Sequence, residues 1–187
     1  MMKHFVTPFL ICVSVVSVAQ STSGLKQQTA PSLKLTVRTD RQVYRLAEEM
    51  VLDTQVLNLS SNDVYIWESD FCWNPARGFS MYITAKDGTS VRSRVLLDSL
   101  PPPPRPGVAY QFIKLGRHEF HGIQDIFKID DFIDKPGEYD IEVTFNSFLS
   151  GSFVRESFSD DPIAKLPLWT NDKPPVIASR VRIVVKP

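Results

Sequence analysis

The sequence has little cysteine, since only Cys12 and Cys72 occur among 187 residues. Cys12 lies in an apolar N-terminal run that we expect to be removed, which leaves one cysteine in the mature chain, so that no intrachain disulfide can form. The stability of the fold must therefore come from a hydrophobic core. For Cys72 we expect a small buried side chain, with an intermolecular disulfide or a reactive thiol as the alternatives.

An excess of charge of one sign is also missing, because 21 Lys and Arg residues are matched by 21 Asp and Glu residues. Nucleic acids and acidic membrane surfaces attract proteins that carry a basic surplus. We therefore expect no nucleic-acid partner. The partner class that remains is a protein or a glycan at the cell envelope or outside the cell.

Long hydrophobic runs are absent after the N-terminus. Residues 5–18 are apolar, Lys3 precedes them, and Ser17-Val18-Ala19 has the small-x-small pattern of a cleavage site. These features are typical of a secretory signal peptide. The run is shorter than the roughly 20 apolar residues that cross a bilayer, so we expect no membrane span in the mature chain.

This pattern divides the chain into three expected segments. We expect a signal peptide over residues 1–19 and a flexible tether over residues 20–32, whose small polar side chains bury too little apolar surface to fold. Residues 33–187 fit one domain, because a domain usually has about 100 to 200 residues. The expected location is extracytoplasmic, either secreted or periplasmic.

The short signatures of catalysis are missing as well. The sequence has no G-x-S-x-G elbow, no P-loop and no G-x-G-x-x-G turn. Cys72-Trp73 is only a fragment of the papain-like signature, because no Gly-Ser precedes the cysteine. We therefore expect a protein that is not an enzyme and that holds no cofactor.

Alternating apolar and polar residues are what the sequence has instead. In DKPGEYDIEVTF, for example, Tyr139, Ile141, Val143 and Phe145 share one face of a strand. Eight or nine such strands, no internal repeat and no long amphipathic helix predict an all-β fold, an immunoglobulin-like antiparallel β-sandwich. The strand segments lie at 33–39, 50–59, 64–68, 78–85, 89–97, 109–115, 119–129, 139–145 and 179–185, with 42–44 as an additional short edge piece.

Asp134-x-x-Gly137-x-Tyr139 resembles the tyrosine corner of immunoglobulin-like folds, in which the phenol bonds to upstream backbone. More broadly, residues 33–187 resemble the immunoglobulin-like domains of uncharacterised secreted bacterial proteins. LTVRTDRQVYRLAEEMVLDTQVLN, KPGEYDIEV and LWTNDKPPVIASRVRIVV carry this likeness. It implies a fold and no activity. Immunoglobulins proper would have a cysteine where Ile141 stands.

Asn74-Pro75-x-x-Gly78-Phe79 resembles the N-P-T-T-G-[YF] loop of chagasin-like cysteine-protease inhibitors, which are also immunoglobulin-like sandwiches. The other two loops of that family have no match here, because Arg105-Pro106 is followed by glycine and lies too early in the chain. An Asn-Pro pair near a glycine is also ordinary turn chemistry. Cysteine-protease inhibition is therefore the alternative function.

Two histidines raise a metal-site hypothesis. His118 and His121 are three residues apart, whereas a zincin helix places its histidines at i and i+4 so that both rings share one face. In a strand the odd spacing points the two rings to opposite faces. We expect both to be solvent-exposed residues at a strand end.

Four carboxylates follow these histidines in the chain, and oxygen ligands of this kind suit Ca²⁺. Their spacing lacks the order of a compact calcium loop, so capping of turns is the expected role. A metal-dependent enzyme or a Ca-stabilised domain remains the second alternative. The carboxylates are Asp125, Asp130, Asp131 and Asp134.

The longest connection, residues 147–177, is rich in aromatic side chains, which argue against disorder. These side chains either pack as a lid on the end of the sandwich or form a binding surface with the 73–79 segment. We expect recognition of a partner through these loops at one end of the sandwich. The residues predicted to contact it are Trp73, Asn74, Pro75, Arg77, Phe79, Phe153, Phe158, Leu168 and Trp169.

Overall fold

The computed structural model of the chain describes residues 32–74, 78–91, 102–107, 111–178 and 180–187. The expected signal peptide, most of the tether and most of the 89–97 strand lie outside these residues. Pro75 and Arg77, two of the predicted contact residues, also lie outside them. The statements below concern the described residues.

These residues form eleven strands and one helix. The strands are β1 (Leu33–Thr39), β2 (Val43–Arg45), β3 (Glu49–Asn58), β4 (Val64–Trp67), β5 (Gly78–Ala85), β6 (Ser90–Val91), β7 (Phe112–Leu115), β8 (Phe120–Lys128), β9 (Gly137–Asn146), β10 (Val176–Ile177) and β11 (Val181–Lys186). The helix, α1, covers Gly151–Ser157. The all-β prediction is therefore confirmed.

Two sheets make the sandwich. The first has the order β1-β3-β8, and both of its pairs are antiparallel. The second has the order β2-β11-β9-β5-β6, with β10 also paired to β9. Its pairs are antiparallel except for β2 with β11, which run parallel. The short β2 therefore departs from a purely antiparallel arrangement.

A shared hydrophobic core lies between these sheets, because period-two alternation turns every second side chain inward. The inward residues of β9 are buried as predicted, and Ile141, Val143 and Ile183 have no exposed surface. β1 and β3 supply the opposite wall of the same cluster, chiefly through Leu35, Leu52 and Val56.

A third sheet, β4 paired with β7, carries a second and smaller core. The chain after β9 packs against it through a parallel bridge between Leu168 and Tyr65. The Tyr65 N–H donates to the Pro167 carbonyl, and the Tyr65 carbonyl accepts from the Trp169 N–H. α1 belongs to this cluster, and Ser150 caps its first turn by accepting from the Phe153 N–H at 3.0 Å. The sequence pattern did not predict this short helix.

The tyrosine corner is present. Tyr139 Oη donates to the Lys135 carbonyl at 2.8 Å, which closes the turn before β9. A Cβ on Gly137 would lie 3.3 Å from the Tyr139 ring, so glycine lets the ring lie against the backbone. Residues 129–131 form a single 3-10 turn before this corner.

Candidate functional site

The outer face of the second sheet is polar and pairs opposite charges across its strands. Arg182 on β11 makes two hydrogen bonds to Asp140 on β9, at 2.8 and 3.1 Å. Arg180 contacts Glu142 at 3.2 Å in the same way. These bonds from Arg182 hold the pKa of Asp140 below its ordinary value. Such a ladder of charges is typical of a sheet face that water covers.

The outer face of the first sheet is different, because it exposes large apolar side chains. Phe120 and Ile126 on β8 are 61% and 64% exposed. Strand register places Phe120 opposite Leu57 and Ile126 opposite Val51 on β3. We call these four residues the β8 face. Paired apolar side chains on one open sheet face indicate a contact surface more strongly than single ones.

Other exposed apolar residues lie beside polar neighbours. Tyr82 on β5 is 55% exposed and stands opposite Glu142. Ile177 on β10 is 60% exposed and stands opposite Thr144. Each is a single apolar side chain of the kind that protein surfaces commonly carry. They match Phe120 and Ile126 in size and exposure, which makes them control positions.

Gly122 sits between the two apolar pairs of the β8 face, opposite Gln55. A Cβ at this position would collide with the Thr54 carbonyl oxygen and with the Gln55 side chain. Glycine therefore lets β3 approach β8 closely, and Gln55 lies across the space, held by its bond to Asp53 at 3.0 Å. The middle of the face is flat as a result.

The outer edge of β8 has no strand beside it among the described residues. Asn58 N–H donates to the Glu119 carbonyl at 3.0 Å, and this bond shows which residues of β8 hydrogen-bond to β3. Odd-numbered residues of β8 therefore turn their backbone groups to β3, and even-numbered residues, from Phe120 to Lys128, turn theirs outward. An edge of this kind can accept another strand.

The inward side of β8 carries polar side chains near the same edge. His121 lies edge-on against Phe71, with ring centroids 4.5 Å apart. Asp125 accepts a hydrogen bond from Trp73 Nε1 at 2.6 Å. Asp125 therefore lies in a strand and holds an indole, which corrects the expectation that it caps a turn.

The 73–79 segment does not supply the predicted recognition surface. Trp73, Asn74 and Phe79 are all buried, and Trp73 packs against Phe127 with ring centroids 5.2 Å apart. Gly78 has φ +62°, and a Cβ there would collide with the carbonyl oxygens of two upstream residues. Gly78 therefore lies directly against this upstream backbone. Asn74 and Phe79 cannot enter a protease cleft from this position.

The predicted contact residues in the 147–177 connection are also covered, although Phe148 in the same connection is 40% exposed. Phe158 and Trp169 are buried, while Phe153 and Leu168 are partly buried against the second core. Of the two alternatives for this connection, the lid agrees with the structure and the exposed aromatic patch does not. The physical reason is that β4 and β7 need an apolar cover on the side away from the main core.

The remaining metal candidates do not converge. His118 is exposed in a turn at φ +61°, whereas His121 is partly buried, which corrects the expectation that both histidines are exposed. Asp130 and Asp131 lie exposed in the 3-10 turn. Within the described ranges, no group of three or more His, Cys, Asp or Glu side chains lies together.

Two buried polar residues were missed at the sequence level. Asn58 is fully buried, and its Nδ2 lies within 2.8 to 3.1 Å of three carbonyl oxygens. A glycan on this nitrogen is therefore incompatible with the fold, although Asn58-Leu59-Ser60 has the glycosylation pattern. Asp70, also fully buried, accepts from Ser147 Oγ at 2.7 Å and ties the 68–74 segment to the residue after β9.

Cys72 lies next to this buried carboxylate. Its side chain is partly buried rather than fully enclosed. Its backbone N–H donates to the Asp70 carbonyl at 2.9 Å, and its own carbonyl accepts from Phe79 at 2.8 Å. The backbone at Cys72 thus helps to hold the tight turn, so the residue has a clear structural role.

The fold is therefore a mostly antiparallel β-sandwich with an added lid. No family model matches the chain, and no curated protein does. Among solved structures it is similar to a β-glucosidase, EmGH1, from Erythrobacter marinus, at 11% identity and TM-score 0.37, over 83% of this chain and 16% of that one. The chain thus spans only a small part of that enzyme.

A second similar structure is the CARDB domain of the PF1109 protein from Pyrococcus furiosus, in complex with di-metal ions. It has 12% identity and TM-score 0.38 over 84% of this chain and 90% of that one. A β-glucosidase from Listeria innocua in complex with glucose has 11% identity and TM-score 0.35, over 84% and 16%. Likenesses at these levels assign no activity, ligand or partner to this chain.

None of the helices in the described residues is long and apolar enough to cross a membrane.

Proposed function

We propose that the chain is an extracytoplasmic, non-enzymatic binding module that recognises a protein partner through the β8 face. One observation carries this proposal, namely the exposure of two apolar cross-strand pairs on one sheet face. The opposite face of the same sandwich bears ion pairs. A protein partner suits the β8 face because apolar side chains gain most from contact with other apolar surface.

The loops at the end of the sandwich are not part of this proposal, since Trp73, Phe158 and Trp169 are buried. In place of these loops, the proposed contact residues are Phe120 and Ile126, each beside its cross-strand neighbour, Leu57 or Val51. The proposed extracytoplasmic location rests on the N-terminal sequence pattern of residues 1–19. Intact-mass analysis of the chain from the extracytoplasmic fraction tests this part, and we expect an N-terminus at residue 20.

A capture experiment tests the binding proposal. The chain and its Phe120→Ser and Ile126→Ser variants are immobilised and exposed to the native extracytoplasmic fraction, and captured proteins are quantified. We expect each variant to reduce capture of the specific partner about tenfold or more. Tyr82→Ser and Ile177→Ser are the matched controls, because they remove side chains of similar exposure elsewhere. Equal capture by all five proteins would contradict the proposal.

A further inference from the structure

We propose that the partner of the β8 face is a second copy of this chain, joined by antiparallel pairing of two β8 edges about a two-fold axis at Ile123. This inference rests on the proposed function and names its partner. The backbone supplies the first argument. Outward N–H and C=O groups at alternate residues of β8 would form about eight hydrogen bonds with the same groups of the second copy.

The edge of β8 lacks most of the features that usually prevent such pairing, and its inward-pointing carboxylate, Asp125, is already bonded to Trp73. Residues 120–128 contain no proline, and the lysine among them, Lys128, stands at the strand end. The edge strands of the second sheet, by contrast, have three and two residues. β8 has nine residues and is the longest strand at a sheet edge in the described chain.

Side-chain complementarity selects the register. With the axis at Ile123, Phe120 of one copy stands opposite Ile126 of the other. Because Phe120 already faces Leu57 and Ile126 faces Val51, each side of the dimer gains an apolar row across four strands. Phe120 of each copy then contacts Ile126 of the other across the junction.

The inward side of the edge agrees with the same register. His121 of one copy stands opposite Asp125 of the other, so an imidazole lies beside a carboxylate twice in the dimer. Asp125 keeps acceptor capacity for this contact, because its bond to Trp73 uses only one oxygen, Oδ2. Ile123 of one copy lies opposite Ile123 of the other, between these two pairs.

The neighbouring register, with the axis at Gln124, is less complementary. It places Phe120 opposite Lys128 and Ile126 opposite Gly122, so neither apolar side chain meets another. It also places His121 opposite Phe127 and leaves Asp125 opposite Ile123. This register would make about ten backbone hydrogen bonds against about eight for the axis at Ile123, so the preference for Ile123 rests on the complementarity of the side chains.

Cysteine cross-linking distinguishes the two registers. In a background with Cys12→Ser and Cys72→Ser, Ile123→Cys places two cysteines directly opposite each other at the axis, with Cα atoms about 4.5 Å apart, within the range for disulfides. Gln124→Cys is the matched control, because it lies on the axis only in the neighbouring register. We expect mild oxidation to cross-link Ile123→Cys and not Gln124→Cys. The reverse result, or no cross-link in either variant, would overturn the inference.

The mass of the unmodified chain provides the second measurement, in case a cysteine variant fails to fold. Sedimentation equilibrium on the chain expressed from its full sequence should show a concentration-dependent dimer. Phe120→Lys should raise the dissociation constant about tenfold or more, whereas Tyr82→Lys should leave it unchanged. A chain that stays monomeric at every concentration would refute self-pairing. If that monomer captures a different protein through Phe120, the proposed function stands and only this inference fails.

Discussion

Individual buried polar residues hold together parts of this chain that are far apart in sequence. Asn58 at the end of β3 bonds to the carbonyl oxygens of Leu115 and Gly116 after β7, so it joins the first sheet to the third. Its Oδ1 accepts from Ser60 at 2.7 Å and 2.9 Å. Each of these partners is poorly placed to find water if the amide is removed.

Asn58→Ala should therefore destabilise the fold by about 2 to 3 kcal/mol, because several buried groups lose their partners together. Urea denaturation with matched m-values measures this change. The adjacent Leu59, which is 45% exposed, gives the control variant Leu59→Ala, expected to change stability by less than about 0.5 kcal/mol. Similar midpoints for both variants would contradict the role given to Asn58.

Tyr139 makes the stability of the fold depend on pH in the alkaline range. Burial, together with Asp134 and Asp87, raises the pKa of its phenol above the ordinary value of 10.0. A raised folded-state pKa stabilises the fold fully below pH 10, and this contribution disappears as pH rises through the raised pKa. Burial also raises the pKa of Tyr44, whose hydroxyl donates to Asp40 at 2.8 Å, so Tyr44 acts in the same direction.

Tyr139→Phe should cost about 1 kcal/mol at neutral pH, since the bond to Lys135 is lost. The same variant should lose stability less steeply than the unmodified chain above pH 10, because one titrating group is gone. Denaturation curves over a pH series measure both effects. Tyr82→Phe, at an exposed site, should show neither. A pH profile unchanged by Tyr139→Phe would contradict this explanation.

At the scale of elements, the 147–177 connection is a structural cover. Its residues enclose the outer side of β4 and β7, and Trp169 reaches the main core, where it is 4% exposed. Within the described residues, Trp169 Nε1 has no hydrogen-bond partner. The ring is therefore held by packing rather than by its polar atom.

Trp169→Ala should destabilise the fold by about 3 to 5 kcal/mol, because it leaves a large cavity. Trp169→Phe should cost clearly less, since it keeps an aromatic ring and removes a buried donor that has no partner. Thermal or urea unfolding of the two variants measures the difference. Loss of partner capture by a Trp169→Ala protein of unchanged stability would instead support the exposed-loop interpretation.

The sheet elements could be predicted because alternation is unambiguous where one face is buried. β1 and β9 show this pattern clearly, and the tyrosine corner at Tyr139 has the predicted bond. β8 could not be oriented from the sequence. Phe120 and Ile126 lie on one face of the strand, and Ile123 and Phe127 lie on the other. Because both faces carry large apolar side chains, alternation does not say which face meets the core.

The connection after β9 was ambiguous for a related reason. Aromatic residues among prolines and polar residues fit both a lid and a surface patch, and only the position of β4 and β7 decides between them. That pairing joins residues about 50 positions apart, through segments whose local pattern does not specify a partner strand. Asp70 was missed because a buried carboxylate has no local sequence signal.

At the scale of the whole molecule, the two outer faces of the sandwich differ in chemistry. One bears opposite charges paired across β9 and β11, and the other bears the apolar pairs of the β8 face. On this asymmetry we base the proposal that the recognition surface lies on the first sheet. The chain is near neutral, with 21 charges of each sign, because its charges are balanced overall. One of its faces is nevertheless apolar and suited to contact with another protein.

Hydroxyl-radical footprinting of the chain in its native extracytoplasmic fraction tests this placement most directly. The experiment compares side chains of nearly equal exposure on the two sheets, Phe120 with Tyr82 and Ile126 with Ile177. Relative to a denatured reference, we predict strong protection of Phe120 and Ile126 and little protection of the other two. Equal reactivity within both pairs would show that the β8 face stays uncovered, and would contradict its role in recognition.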